Sequence, residues 1–229
     1  LEVTVDRLKR EHGVQVNVGQ PQVSYREGIF SEKEYFIEHE YTSGDVNHSL
    51  KARFNVCPNG DSKPVSFNFK KQKTENFLEY IKAIESQVME SSKSGLIAGY
   101  PLVGLDLSLS DLSSTEDNVG DISLRQLVNK FFSELMSENS LEKGLMEPVM
   151  DVTLVVPADY SGDVISDINQ KEGSIKSIEP TQAGKELVKA ELPLEKMFGY
   201  TTDLRSKTKG RGHFSMEFKE FRRMKAQKE

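Results

Sequence analysis

The sequence predicts an α+β protein of two domains, and three observations carry that expectation. Residues 146–221 run through apolar patterns in the order βαββαβ. Residues 22–109 hold short stretches of period-two alternation interrupted by one amphipathic helix. Between these regions Leu124, Leu127, Val128, Phe131, Phe132 and Leu135 follow the i, i+3, i+4 spacing of a helix with one buried face. A length of 229 residues suits one or two domains, and 36% apolar residues suffice for a core.

In chain order, Leu1, Val3 and Val5 alternate with polar residues, Gly13 stops a short helix, and Val14, Val16 and Val18 alternate again. A unit this small cannot bury a core. The chain is therefore expected to begin inside a domain of a longer parent. Strands are predicted at 22–26, 35–41, 50–56 and 65–69, with a turn at Pro58, Asn59, Gly60 and Asp61. Thr74 caps a helix whose buried face is Phe77, Leu78, Ile81, Ile84 and Val88, and a strand follows at 101–109. Residues 110–121 are polar and acidic, the pattern of a loop. In the next helix Ser123 with Gln126 reads as a capping box and Ile122 with Leu127 as a hydrophobic staple. Loss of such a cap costs about 1 kcal/mol. Residues 139–144 read as a linker.

The final region begins with Met150, Val152, Leu154 and Val156 in a strand ended by Pro157. Tyr160, Val164, Ile165 and Ile168 form a helix face, stopped near Gly173. Strands 174–179 and 186–192 flank a turn at 181–184. A second helix within 193–212 spaces Leu194, Met197, Phe198, Thr201 and Leu204 on one side and stops at Gly210. Phe214, Met216 and Phe218 alternate in a last strand that faces the core. This order is the ferredoxin-like sandwich, two helices on one face of an antiparallel sheet.

The second helix runs into the charge anomaly of the chain. Residues 193–212 carry Lys196, Arg205, Lys207, Lys209 and Arg211 against Glu195 and Asp203, a local +3 in a protein of formal charge −6. Basic side chains in a last turn favour the helix dipole. The Gly–Arg sequence beyond the helix adds a reason for phosphate contact, since backbone approaches phosphate closely at glycine and arginine forks onto phosphate oxygens. Arg205, Lys207, Lys209 and Arg211 are therefore either a solvated helix end or a phosphate-contacting cluster. An RNA-recognition motif is a poor fit, because Arg211-Gly212-His213-Phe214 lies on the last strand and the third strand carries no aromatic.

Catalytic patterns are missing from the sequence. Gly184-Lys185 is followed by Glu186, so no phosphate-cradling loop forms. His12, His39, His48 and His213 lack metal-ligand spacing, and no nucleophile elbow occurs. Cys57 precedes Pro58 and reads as a small packed side chain. A lone cysteine excludes an internal disulfide and fits a reducing, cytoplasmic setting. No apolar run approaches the ~20 residues of a membrane helix. No catalytic residue, metal site or cofactor is expected in this chain.

The run from Leu145 to Phe218 strongly resembles the last domain, domain V, of elongation factor G, the translational GTPase. The matching segments are MEPVMDVTLVVPADYSGDVISDINQKEGSI, ELPLEKMFGYTTDLRSKTKGRG and FSMEF. The segment VTVDRLKREHGVQVNVGQPQVSYRE is similar to the end of domain III and its passage into domain IV, and Gly99-Tyr100-Pro101-Leu102 keeps a strand entry of domain IV. The resemblance implies the end of domain III at residues 1–20, a rearranged α/β domain IV like ribosomal protein S5 at 21–144, a ferredoxin-like domain V at 145–222, and the start of a C-terminal tail at 223–229. It implies ribosome binding, with Arg205, Lys207, Lys209 and Arg211 on ribosomal RNA. It places the GTPase domain, with its GTP and Mg, in the parent ahead of Leu1.

The middle departs from the translocating pattern. After Tyr25-Arg26-Glu27 the family's SGGxGQ segment is replaced by EYTSGDVNHSLKARF, its GGVIPxEY loop by FKKQKTENFLEY, and its His–Asp tip loop by SDLSSTEDNVGD. These departures resemble the paralogue that splits post-termination ribosomes with ribosome recycling factor. Lys70, Lys71 and Lys73 form a basic hook at the expected tip, which suits RNA or a recycling factor, or a solvated loop. Glu116, Asp117 and Asp121 beside it repel phosphate and favour a protein partner. The expected whole is a monomeric, cytoplasmic translation factor acting in translocation or recycling. The alternative is a protein-interaction module with no RNA role.

Overall fold

Pairing rather than apolar content sets where most strands begin and end. The computed structural model describes Glu11 and residues 22–60, 62–69, 75–181 and 184–224, with side chains from Leu78 onward in the first helix. The readings for residues 1–10 and 12–21 and the Thr74 cap fall outside these. The strands are β1 (Arg26–Ile29), β2 (Lys33–Ser43), β3 (Val46–Pro58), β4 (Ser66–Phe69), β5 (Leu105–Ser114), β6 (Lys143–Pro157), β7 (Ser174–Pro180), β8 (Lys185–Pro193) and β9 (His213–Arg223). The α-helices are α1 (Glu75–Ser91), α2 (Asp121–Ser137), α3 (Ser161–Gln170) and α4 (Tyr200–Lys207).

The first sheet has the order β2-β3-β5-β4. Its buried face is built from alternate residues: Tyr35 and Ile37, Ala52, Phe54 and Val56, Leu105, Leu107 and Leu109. Helices α1 and α2 cover that face with Ile84 and Val88, and with Leu124, Leu127, Val128, Phe131 and Leu135. Phe131 is the keystone. It stacks on Phe54 at 4.3 Å and meets Tyr35 and Phe132 edge-on.

Several expectations are corrected here. Strand β5 continues to Ser114, because the long hairpin of β2 and β3 offers Lys51 and Leu50 as partners for Ser113 and Ser114. Residues 101–104 are not strand; Leu102 and Val103 make isolated bridges to Glu27 and Pro64. Leu78 is 65% exposed. It lies six residues before Ile84, about 120° away around the helix, so it misses the buried stripe. Helix α2 starts three residues earlier than a Ser123 cap requires, with Gly120 as cap and no side-chain cap bond. Ser123 is therefore a buried first-turn residue, and Gln126 meets the His39 ring at 3.0 Å instead. Ile122 is exposed, so no staple forms. Residues 139–144 are not a free linker. Leu141 is buried in the first core, the Phe30 N–H donates to the Glu142 carbonyl at 2.7 Å, and β6 begins at Lys143.

The second sheet orders its strands β7-β8-β6-β9, the expected split arrangement, and adds β1 against the start of β6. Met150, Val152, Leu154, Val156, Val188, Ala190 and Leu192 face helices α3 and α4, which contribute Val164, Ile168, Tyr200 and Leu204. The expected single helix within 193–212 is broken. A 3₁₀ turn covers Leu194–Met197, Gly199 takes φ +75°, and α4 starts only at Tyr200. Met197, Tyr200 and Leu204 are thus buried, whereas Phe198 and Thr201 are exposed. Only eight residues remain in α4. It covers Phe214, edge-on to Tyr200 at 5.2 Å, but leaves Met216 and Phe218 41% and 52% exposed on β9, which corrects their expected place in the core.

The opposite face of this sheet holds a buried charge. Glu191 is 3% exposed, with Lys176 at 2.9 Å, Arg222 at 2.6 Å and Lys219 in contact. Burial alone would push its carboxyl up; the bonds from Lys219, Arg222 and Lys176 outweigh that and bring it down to about 2.

Two outcomes are expected. Phe131→Ala should destabilise the protein by about 3–5 kcal/mol in urea titration, the cost of emptying a fully packed aromatic site. Because the folded Glu191 carboxyl is depressed below its unfolded value, its contribution is present above about pH 4.3 and disappears as pH falls towards 2. The urea midpoint should therefore fall over that window, and Glu191→Gln should flatten the fall.

Candidate nucleic-acid interface

The basic stretch 205–211 is displayed by a turn that one buried threonine organises. Thr208, fully buried, follows the last residue of α4. Its hydroxyl donates to the Leu204 carbonyl at 2.7 Å and accepts the Gly212 N–H at 2.8 Å. The chain between these bonds reverses through Lys209 at φ +50° and Gly210 at φ +79°. The Gly210 N–H donates to the Arg205 carbonyl at 2.7 Å and the Arg211 N–H to Thr208 at 3.1 Å, so the carbonyls of the helix end are satisfied. A Cβ at Gly212 would stand 2.8 Å from the Thr208 hydroxyl oxygen and 3.2 Å from Leu204, which leaves room only for glycine. With Thr208 and Gly212 inside, Lys207, Lys209 and Arg211 point outward.

Helices α3 and α4 are tied by two pairs of opposite sense. Lys207 meets the buried Asp167 carboxylate at 3.2 Å, and Lys171 meets Asp203 at 3.1 Å. Tyr200 lies between the helices, and burial with the nearby Asp167 and Asp203 pushes its phenol well above its usual range. Lys207 is therefore partly committed to fold. Among the described residues, Arg205, Lys209 and Arg211 pair with no carboxylate.

Tyr160 completes the surface. Its hydroxyl accepts from the Arg211 guanidinium at 2.8 Å, the guanidinium carbon lies 4.9 Å from the ring centre, and the Lys209 amine lies 5.9 Å away. Two further basic residues share this end of the sheet. Lys185 pairs with Pro157, and the exposed His213 pairs with Val155. Asp159 and Asp163, beside Tyr160 in sequence, are the nearest acids along the chain.

The structure thus brings Arg205, Lys207, Lys209 and Arg211 together around one helix end. Lys70, Lys71 and Lys73 lie outside the described residues. One expectation changes. The N–H groups of Gly210, Arg211 and Gly212 are all spent inside the turn, so an anion here meets side chains rather than glycine backbone. Tyr160, Thr208 and Asp167 were not legible as site residues. Tyr160 read as one more apolar position of a helix face, and nothing in the residue order singled out Thr208. Among the described residues, no three His, Cys, Asp or Glu side chains gather as a metal site, and no helix is long and apolar enough to cross a membrane.

Comparison with known families locates this surface. The model of the elongation factor G C-terminus matches residues 144–229, and that of elongation factor G domain IV matches residues 21–140. The chain belongs to the elongation factor G family. A crystal structure from Thermus thermophilus shares the fold, with a TM-score of 0.81 at 24% identity over 98% of this chain and 33% of that one. The chain therefore spans about a third of that protein's length. Its basic turn lies in the stretch matched by the C-terminal model, and the hairpin of β2 and β3 in the domain IV match.

Thr208→Ala should cost about 1–3 kcal/mol, because it removes one bond to a carbonyl and leaves the Gly212 N–H without a partner. Thermal denaturation of the variant against the parent chain checks this.

Proposed function

We propose that this chain is part of the ribosome-engaging arm of an elongation factor G-type translation factor, and that the turn 205–211 contacts ribosomal RNA. The observation that carries the reading is the locked display of Arg205, Lys209 and Arg211, which pair with no carboxylate among the described residues, beside the Tyr160 ring. Arginine forks onto phosphate oxygens, lysine supplies point charge, and an aromatic ring beside them offers stacking to a base. In this reading residues 21–144 and 145–222 act as domains IV and V after the end of domain III. The GTPase activity, with its GTP and Mg, belongs to another part of a cytoplasmic, monomeric parent.

A specific observation favours recycling over translocation. The hairpin tip and the neighbouring loop hold Glu40, Asp45, Glu116 and Asp117, with no Lys or Arg in residues 38–50 or 114–121. Glu116 accepts the Tyr41 hydroxyl at 2.6 Å, a bond that holds its carboxyl below the usual range. A tip that stays anionic at neutral pH suits a protein partner such as a recycling factor better than the phosphates of a decoding site.

Replacing Arg205, Lys209 and Arg211 with Ala in the full-length factor should weaken ribosome binding and reduce the slope of log affinity against log salt by about 0.7–0.9 per lost phosphate contact. An unchanged slope would refute RNA contact at this turn and favour a module without an RNA role. Supplied with recycling factor, the full-length protein should split post-termination ribosomes without translocating pre-translocation complexes. Translocation without splitting would refute the recycling assignment.

A further inference from the structure

Glu27, near the start of the described chain, is fully buried although it is a carboxylate. Among the described residues no Lys or Arg pairs with it. Backbone N–H groups meet its charge. One oxygen accepts the N–H groups of Leu96 and of Ile97 at 2.7 Å; the other accepts those of Ala98 at 2.8 Å and Tyr100 at 3.0 Å. Four amide dipoles converge on one anion, the arrangement of an anion nest. The loop that supplies them turns through Gly95 at φ +65° and Gly99 at φ +87°. A Cβ on Gly95 would lie 2.2 Å from the Tyr100 carbonyl oxygen and 2.6 Å from the Glu27 carboxylate. The loop therefore closes on the side chain without spare space.

The backbone of the same residue joins both domains. The Glu27 N–H donates to Pro101 and its carbonyl accepts from Val103, both at 3.0 Å, on the side of the first domain. On its other edge β1 pairs with Leu145 and its neighbours in β6, the strand that continues through the second sheet. Around it the Phe221 N–H donates to the Ser62 hydroxyl at 2.6 Å, Arg26 lies over the Phe221 ring at 5.0 Å, and Arg223 bridges Glu142 at 2.6 Å and lies over Phe30 at 4.4 Å. These neighbours are exposed or half-buried contacts of ordinary strength. Glu27 is the buried charge among them. Any rotation of the first domain that pulls the 95–100 loop off the carboxylate strands an anion in the interior, the costliest change available at this junction.

We propose that Glu27 is a positioning residue of the ribosome-engaging arm: its backbone-caged carboxylate locks the loop 95–100 to the strand shared with the C-terminal sheet, and so sets where the acidic tip lies relative to the basic turn. The functional half of this statement rests on the ribosome reading above. The geometric half does not.

The test separates the two. Spin labels at Asp45→Cys and Gln170→Cys, in a Cys57→Ser background, report the distance between the two domains of the full chain. The parent should give a single narrow distance population. Glu27→Gln places an amide among four donors and should split or broaden it. Gly95→Ala keeps the carboxylate but crowds its cage and should do the same, which keeps the test available should Glu27→Gln not fold. Leu127→Ala lowers stability inside the first core and should leave the distance narrow. In the full-length factor, Glu27→Gln should retain the salt slope of ribosome binding set by the basic turn while losing factor-dependent turnover on the ribosome. A distance distribution for Glu27→Gln and Gly95→Ala that superimposes on the parent overturns the positioning role. A parent that fails to bind ribosomes removes the ribosome reading and leaves the distance result standing.

Discussion

The strand β6 is bonded on both flanks for most of its fifteen residues, and the rest of the molecule depends on it. Lys143 to Met146 pair with β1, Val149 to Pro157 pair with β8, and Met146 to Val155 pair with β9. The passage from one domain to the next is therefore a hydrogen-bonded ladder and not a linker. The bonds of β6 to β8 and β9 hold the C-terminal sheet together, and its pairing with β1 ties to that sheet the strand whose Glu27 bonds to Pro101 and Val103 of the first domain. The two hydrophobic cores remain separate: one lies under α1 and α2, the other under α3 and α4. The strand links them through polar backbone.

Charge is distributed along this frame in a way that the net value hides. The hairpin tip of the first domain is acidic, the helix end of the second is basic, and the two are parts of one shared backbone. The basic turn owes its form to forces that have nothing to do with RNA. The dipole of α4 favours Arg205 and Lys207 in its last turn, and Asp167 takes Lys207 as a partner between the helices. The remainder, Arg205, Lys209 and Arg211, stay outside, on and beside a turn in which the Gly210, Arg211 and Gly212 N–H groups are already used. The fold supplies rigidity first, and the proposed RNA contact rests on the side chains left over.

Much of this was legible from residue order. Alternation along Met150, Val152, Leu154 and Val156 marked β6, and the spacing of Leu124 through Leu135 marked α2, because a two-residue and a 3.6-residue period sort side chains by face. The errors came where a partner decides the outcome. Ser110, Asp111, Ser113 and Ser114 are polar, yet this stretch is strand because β3 reaches far enough to pair with it. Met216 and Phe218 have the pattern of core residues, yet they are exposed because α4 is too short to cover them. Ser123 has the spacing of a cap, yet Gly120 starts the helix.

The sequence by itself determined the α+β class, the βαββαβ order, the family and the basic run at 205–211. Each of these is carried by local order or by long matching segments. Only the tertiary structure decided that Lys207 answers Asp167, that Tyr160 sits against Arg211, and that Thr208 and Gly212 shape the turn between them. It also decided that Glu27 is caged by a loop some seventy positions away. These contacts join residues remote in the chain, and no local period encodes which N–H will face a distant carboxylate. That pairing is set when two sheets and their loops close on one another and every buried polar group must find a partner.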